Sequence, residues 1–140
     1  MTAKNYLGEY KTLSASIVLA YEQRSQIRAL AEKITASTEG LPRGTDISDK
    51  VGKNAAKIAD LDREIQDKIN ELLALRGEIQ ATIEQVSGKQ IRQILTAIYI
   101  NGHRVYEAAE IVGYSYSQTE RYHLEGLEQI EKIMITNENA

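Results

Sequence analysis

Between Ile58 and Val86 the apolar residues Ile58, Leu61, Ile65, Ile69, Leu72, Ile79, Ile83 and Val86 follow one another at intervals of three, four or seven. That spacing draws one stripe along a helix. Leu75 and Arg76 sit near the gap in the stripe, and an extra residue between Leu61 and Ile69 marks a local change in supercoil. A helix over residues 48–86 is roughly 58 Å long at the standard rise per residue. A rod of that length cannot bury its stripe inside a small globule, so it needs a partner helix. Residues 4–35 supply one. Tyr6, Tyr10, Leu13, Ile17, Ala20, Ile27, Ala31 and Ile34 form a heptad-like seam interrupted at Arg24.

The connection, ASTEGLPRGTDISDK over residues 36–50, holds the chain's one proline. Gly40, Pro42 and Gly44 break helix, and Ser48 or Asp49 is placed to cap the next one. The loop is long enough to reverse direction, so residues 1–87 read as an antiparallel coiled-coil hairpin. Arg43 near the loop's tip is a solvated cation or a partner contact. The hairpin as a whole is a spacer, or a surface for dimerisation or partner docking.

Residues 103–130, HRVYEAAEIVGYSYSQTERYHLEGLEQI, carry a second pattern: two short helices joined by a tight glycine turn. Ala109 lies four residues before Gly113, and a small residue there lets one helix cross closely over the other. Gly113 can take the left-handed conformation that ends a helix. Ser115 then offers an N-cap oxygen. Thr119, where an aliphatic residue is more usual, Tyr122, Gly126 or Leu127, and Ile130 recur at helical spacing, so one face of residues 116–133 is buried and the other free. The free face carries Ser117, Gln118 and Arg121, with Glu120 and Glu125 at its edge. Amide, hydroxyl and guanidinium groups side by side are those that hydrogen-bond base edges in a major groove. A plain helical hairpin is the other reading of the same letters. Lys89–Ile100 repeats Ile91, Ile94, Leu95, Ile98 and Tyr99 and ends at the turn signal Asn101-Gly102. The expected C-terminal part is therefore a three-helix helix-turn-helix unit over residues 88–136, followed by a frayed tail at 137–140.

The fold class expected is all-α. The residues expected at DNA are Arg104, Ser115, Tyr116, Ser117, Gln118, Glu120, Arg121 and His123. Tyr116, at the first turn of the reading helix, is placed for a phosphate or a thymine methyl. His123 either faces DNA or lies on a solvated surface, and Tyr99, Tyr114 and Tyr122 are expected in the core. The chain has no Phe and no Trp, so nothing suggests a stacking platform for single strands.

Charge argues for help in binding. The formal net charge is −3. Residues 89–136 set Lys89, Arg92, Arg104, Arg121 and Lys132 against Glu107, Glu110, Glu120, Glu125, Glu128 and Glu131. Phosphate neutralisation supplies most non-specific affinity for DNA, so one such unit binds weakly. A homodimer with two half-sites, or a protein partner at the promoter such as RNA polymerase, answers that weakness.

Other functions find little in the sequence. Without cysteine there is no disulfide, thiol chemistry or thiolate zinc site. His103 and His123 lie in different helices, outside any ligand spacing. Neither a glycine-rich phosphate loop nor a nucleophile elbow is present. Acids such as Asp60, Asp62, Glu64 and Asp67 alternate with Arg63 and Lys68, as on a solvated helix face. The expectation is a non-enzyme without metal or cofactor. No apolar run approaches the roughly 20 residues needed to cross a bilayer, and MTAKNYLGEYK lacks the core of a signal peptide, so a cytoplasmic protein is expected.

From Tyr6 to about Ile133 the order of parts resembles a family encoded by bacteriophages and integrated elements of Gram-positive bacteria. Its members share a long helical hairpin with a loop like LPRG (41–44), a segment like SDKVGKNAAKIADLDREI (48–65) and a C-terminal unit like YINGHRVYEAAEIVGYS (99–115). That last unit is similar to region 4 of sigma-70-type factors and to late transcription regulators of the RinA and ArpU type. The resemblance implies a phage or mobile-element transcription regulator, with residues 116–128 matching the promoter-reading helix. Tyr116, Gln118 and Glu120 replace arginines common on that helix, and nothing resembles the DNA-opening regions of a complete sigma factor. An accessory activator is the reading this leaves. A protein-interaction adaptor and a small terminase subunit are the alternatives, although terminase subunits usually place the DNA-binding unit first in the chain.

Overall fold

The structure, a computed structural model, describes residues 1–37 and 45–139. All of its regular structure is helical: α1 (Ala3–Ser37), α2 (Thr45–Glu84), α3 (Lys89–Leu95), α4 (Val105–Val112) and α5 (Tyr116–Glu138). A π-helical turn over Thr96–Ile100 continues α3. No strand occurs among the described residues. Nor does any helix there have the length and apolarity to cross a membrane.

Several boundaries differ from the sequence expectation. Helix α1 continues to Ser37 and α2 begins at Thr45, so the connection is shorter than 36–50. Ser48 and Asp49 lie inside α2, not before it. The LPRG segment and Arg43 fall outside the described residues. At the other end α5 runs through Glu138, where a frayed tail from 137 was expected; Asn139 Nα still donates to the Ile135 carbonyl at 3.1 Å.

The compact units also divide elsewhere than at residue 87. One comprises Met1–Leu13 with Leu72–Ala140, the other Ser14–Glu71. A long helix can belong to two units because each turn's contacts are local.

In the first unit Ala3 and Leu7 of α1 are fully buried with Ile79 and Ile83 of α2 and Val86 just beyond its end. Ile91, Leu95, Ile100 and Ile130 complete this core. Gly126 explains how closely α5 approaches α3. A Cβ there would lie 2.9 Å from both Ile91 Cγ2 and Leu95 Cδ1. Two polar contacts add to this core. Ala3 Nα donates to Glu131 Oε1 at 3.3 Å, and Arg92 Nη1 donates to the Val86 carbonyl at 2.8 Å.

In the second unit the expected stripes are the inner faces. Ile17, Ala20, Leu61 and Ile65 are buried, with Ile27, Ala31, Ile34, Ile58 and Ile69 half-buried. Arg24, the break in the α1 seam, pairs with Asp62 of α2. Its aliphatic stem can cover the seam while the guanidinium finds a carboxylate. Lys68 and Glu64 pair along α2 at 3.1 Å.

Candidate nucleic-acid interface

The turn between α4 and α5 follows from three residues. Gly113 adopts φ +81°, and both its own N–H and that of Tyr114 donate to the Ala109 carbonyl, at 2.9 and 3.2 Å. These bonds satisfy a carbonyl that a helix end leaves open. Ser115 caps α5, its Oγ accepting from the Gln118 backbone N–H at 3.2 Å. Thr119 follows one turn on, fully buried, with Oγ1 donating to the Ser115 carbonyl at 2.9 Å. A hydroxyl can occupy this apolar position because its donor has an acceptor within the helix.

Beyond the cap, α5 presents two unlike faces. Thr119, His123, Gly126 and Ile130 are buried. Tyr116, Ser117, Arg121, Leu124 and Glu125 are exposed, and Gln118 and Glu120 are half-exposed. Five of the residues expected at DNA (Tyr116, Ser117, Gln118, Glu120 and Arg121) thus lie together on the accessible first two turns of one helix. Ser115 adjoins them, with its oxygen already engaged in the cap. Arg104 stands apart at the start of α4, exposed, where its backbone N–H donates to Glu107 Oε1 at 2.9 Å. That bond holds the Glu107 carboxyl below its usual range, with nearby His103 and Arg104 adding to it.

His123 is a correction. It does not lie on a solvated surface: 8% exposed, it packs against Tyr99 with ring centroids 5.5 Å apart. Its Nε2 is 2.6 Å from the Tyr99 hydroxyl. Burial lowers the His123 pKa, partly opposed by Glu120, whose Oε1 lies 3.7 Å from Nδ1. Burial, with the charge of Glu120, pushes the Tyr99 phenol up to about 12. The helical spacing 119, 122 or 123, 126, 130 would have placed His123 inward, had the polar side chain not suggested a surface.

Tyr114 is a second correction. Expected in the core, it is 42% exposed and meets the half-buried Tyr122 edge-to-face at 5.5 Å. Its hydroxyl-bearing ring can pack on one side and stay wet on the other. Leu124, 58% exposed on the same helix, went unmarked because a lone leucine fits either face. Among the described residues no group of three or more His, Asp or Glu converges on a metal site. Compared with protein-family models, curated proteins and solved structures, the chain matches none.

Proposed function

We propose that the chain is a transcription regulator, an accessory activator of the phage or mobile-element kind, that reads promoter DNA with the first turns of α5 in the major groove. The supporting observation is the two-faced α5. Its inner face is fixed by Thr119, His123 and Gly126, while Tyr116, Ser117, Gln118, Glu120 and Arg121 stand at the accessible face. A helix fits a groove about 12 Å wide, and Arg and Gln are the side chains that pair bidentately with guanine and adenine. In this reading α3, α4 and α5 are the three helices of a sigma region 4-like helix-turn-helix. Helices α1 and α2 are an antiparallel coiled-coil hairpin. Tyr6 meets Thr82 within one compact unit, and Arg24 meets Asp62 within the other. With Glu120, Glu125 and Glu128 sharing α5 with its single exposed arginine, affinity needs a second half-site or a protein partner. A homodimer or docking on RNA polymerase supplies it.

The test is a random-library DNA selection at low salt, repeated with Gln118→Ala and Arg121→Ala combined. The double variant abolishes the recovered motif while circular dichroism stays unchanged. A motif that survives it removes residues 116–123 from base reading.

Leu124 supports a second reading. It lies two turns from Tyr116, also exposed, on the stripe 116, 120, 124. A stripe with exposed Tyr116 and Leu124 flanking Glu120 fits a groove on another protein. The adaptor reading predicts no DNA complex even at low salt, and loss of a polymerase complex in Leu124→Ala.

A further inference from the structure

The Tyr99–His123 pair has a free end. Among the side chains facing the imidazole are Tyr99 from the π-helical turn, Glu120 from α5 and the more distant ammonium of Lys4 from α1. His123 Nδ1 is buried without a hydrogen-bond partner. The acceptor nearest to it in this cluster is Glu120 Oε1 at 3.7 Å, and that side chain is 37% exposed.

The tautomer follows from chemistry. A phenol held up to about 12 keeps its proton at neutral pH. When it donates to Nε2, the neutral ring carries its proton on Nδ1, facing the carboxylate. The opposite tautomer would aim a lone pair at that carboxylate, leaving two acceptors face to face. A distance of 3.7 Å exceeds a hydrogen bond by less than an ångström. A rotamer adjustment of the kind side chains make on binding closes it.

We infer that Tyr99 and His123 are positioning residues for Glu120, fixing one carboxylate oxygen so that the other accepts a hydrogen bond from the N4 amino group of a cytosine. The inference rests on the DNA-reading function proposed above. A carboxylate carries no donor, so it is repelled by phosphate oxygens, by guanine N7 and O6 and by thymine O4. Adenine presents an amino group beside the N7 acceptor, which suits an amide better. Cytosine N4 is the donor that fits. A carboxylate free to swing would mainly repel the DNA, and anchoring one oxygen on Nδ1 turns it into a base-specific acceptor. Glu120 thus acts in specificity, where its charge alone would only weaken binding.

Two measurements test this. Nitrogen-15 spectra of the free protein near pH 7.5 report the His123 tautomer, expected as Nδ1–H in the wild type. The random-library selection is run with wild type, Glu120→Gln and Tyr99→Phe. Glu120→Gln keeps the motif but erases a cytosine preference at one position, a discrimination of roughly five- to a hundredfold. Tyr99→Phe, which keeps the packing, weakens preference at that same position alone. An Nε2–H tautomer, or a motif unchanged in Glu120→Gln, overturns the inference while leaving DNA reading intact. Absence of any wild-type motif overturns both.

Discussion

Gln129 grips both backbone groups of Ser87. Its Oε1 accepts from the Ser87 N–H at 2.8 Å, and its Nε2 donates to the Ser87 carbonyl at 3.2 Å. Ser87 lies in the joint between α2 and α3, where the backbone lacks helical partners. One amide side chain on α5 therefore does for that joint what a strand neighbour does in a sheet. Gln129→Glu keeps the size but turns the donor into an acceptor facing a carbonyl. It is expected to cost about 1–2 kcal/mol, and Gln129→Ala about 1 kcal/mol. Urea midpoints measure both, and an unchanged midpoint in Gln129→Glu would show that the grip is not held in solution.

Two helical glycines should respond oppositely to a side chain. At Gly126 even a Cβ meets Ile91 and Leu95 at 2.9 Å, so Gly126→Leu overpacks the α3–α5 contact and costs about 1–3 kcal/mol. At Gly77 nothing lies within 4 Å. Gly77→Ala relieves the entropy cost of glycine in a helix and gains about 0.5–1 kcal/mol. Thermal melts of the two variants should move in opposite directions.

Those contacts mark how far the sequence could be read. Period alone identified Ile17, Ala20, Leu61, Ile65, Ile79 and Ile83, because a stripe on a long helix has one face to bury. The same logic gave Gly113 and Ser115, whose roles are local and follow from backbone geometry. Ala3 and Leu7 were missed because one turn at a chain terminus carries too little period to judge. Ser87 and Gln129 were invisible for another reason: a long-range hydrogen bond between a serine backbone and a glutamine leaves no spacing behind. His123 was misread because a titratable ring on a helix expected to read DNA suggests ligand contact, whereas its partner Tyr99 lies in a different element.

The α4–α5 turn rests on conformation and capping in measurable shares. Ser115→Ala removes the oxygen that accepts from Gln118 and is expected to cost about 1 kcal/mol. Gly113→Val must hold a β-branched residue at φ +81°, a loss of about 1–2 kcal/mol or more. Because both residues set the direction of α5, the proposed site-specific DNA binding should fall further than stability does. Comparing binding with urea midpoints separates the two, and equal losses would mean that the turn only stabilises.

Buried His123 gives stability a dependence on pH whose sign is fixed. Its folded pKa lies below the ordinary 6.5, so between those two values the unfolded chain binds more protons than the folded one. Stability therefore rises with pH across that window. On acidification the loss begins as pH falls through about 6.5 and levels off below the folded pKa. Burial is the main cause, and Glu120 opposes it by favouring the charged ring. Glu120→Gln should then lower the folded pKa further and enlarge the acid loss, whereas His123→Gln should remove this part of the slope. Urea denaturation at half-unit steps from pH 5 to 8 reads all three proteins. A smaller acid loss in Glu120→Gln than in wild type would mean that the carboxylate does not face the imidazole in solution.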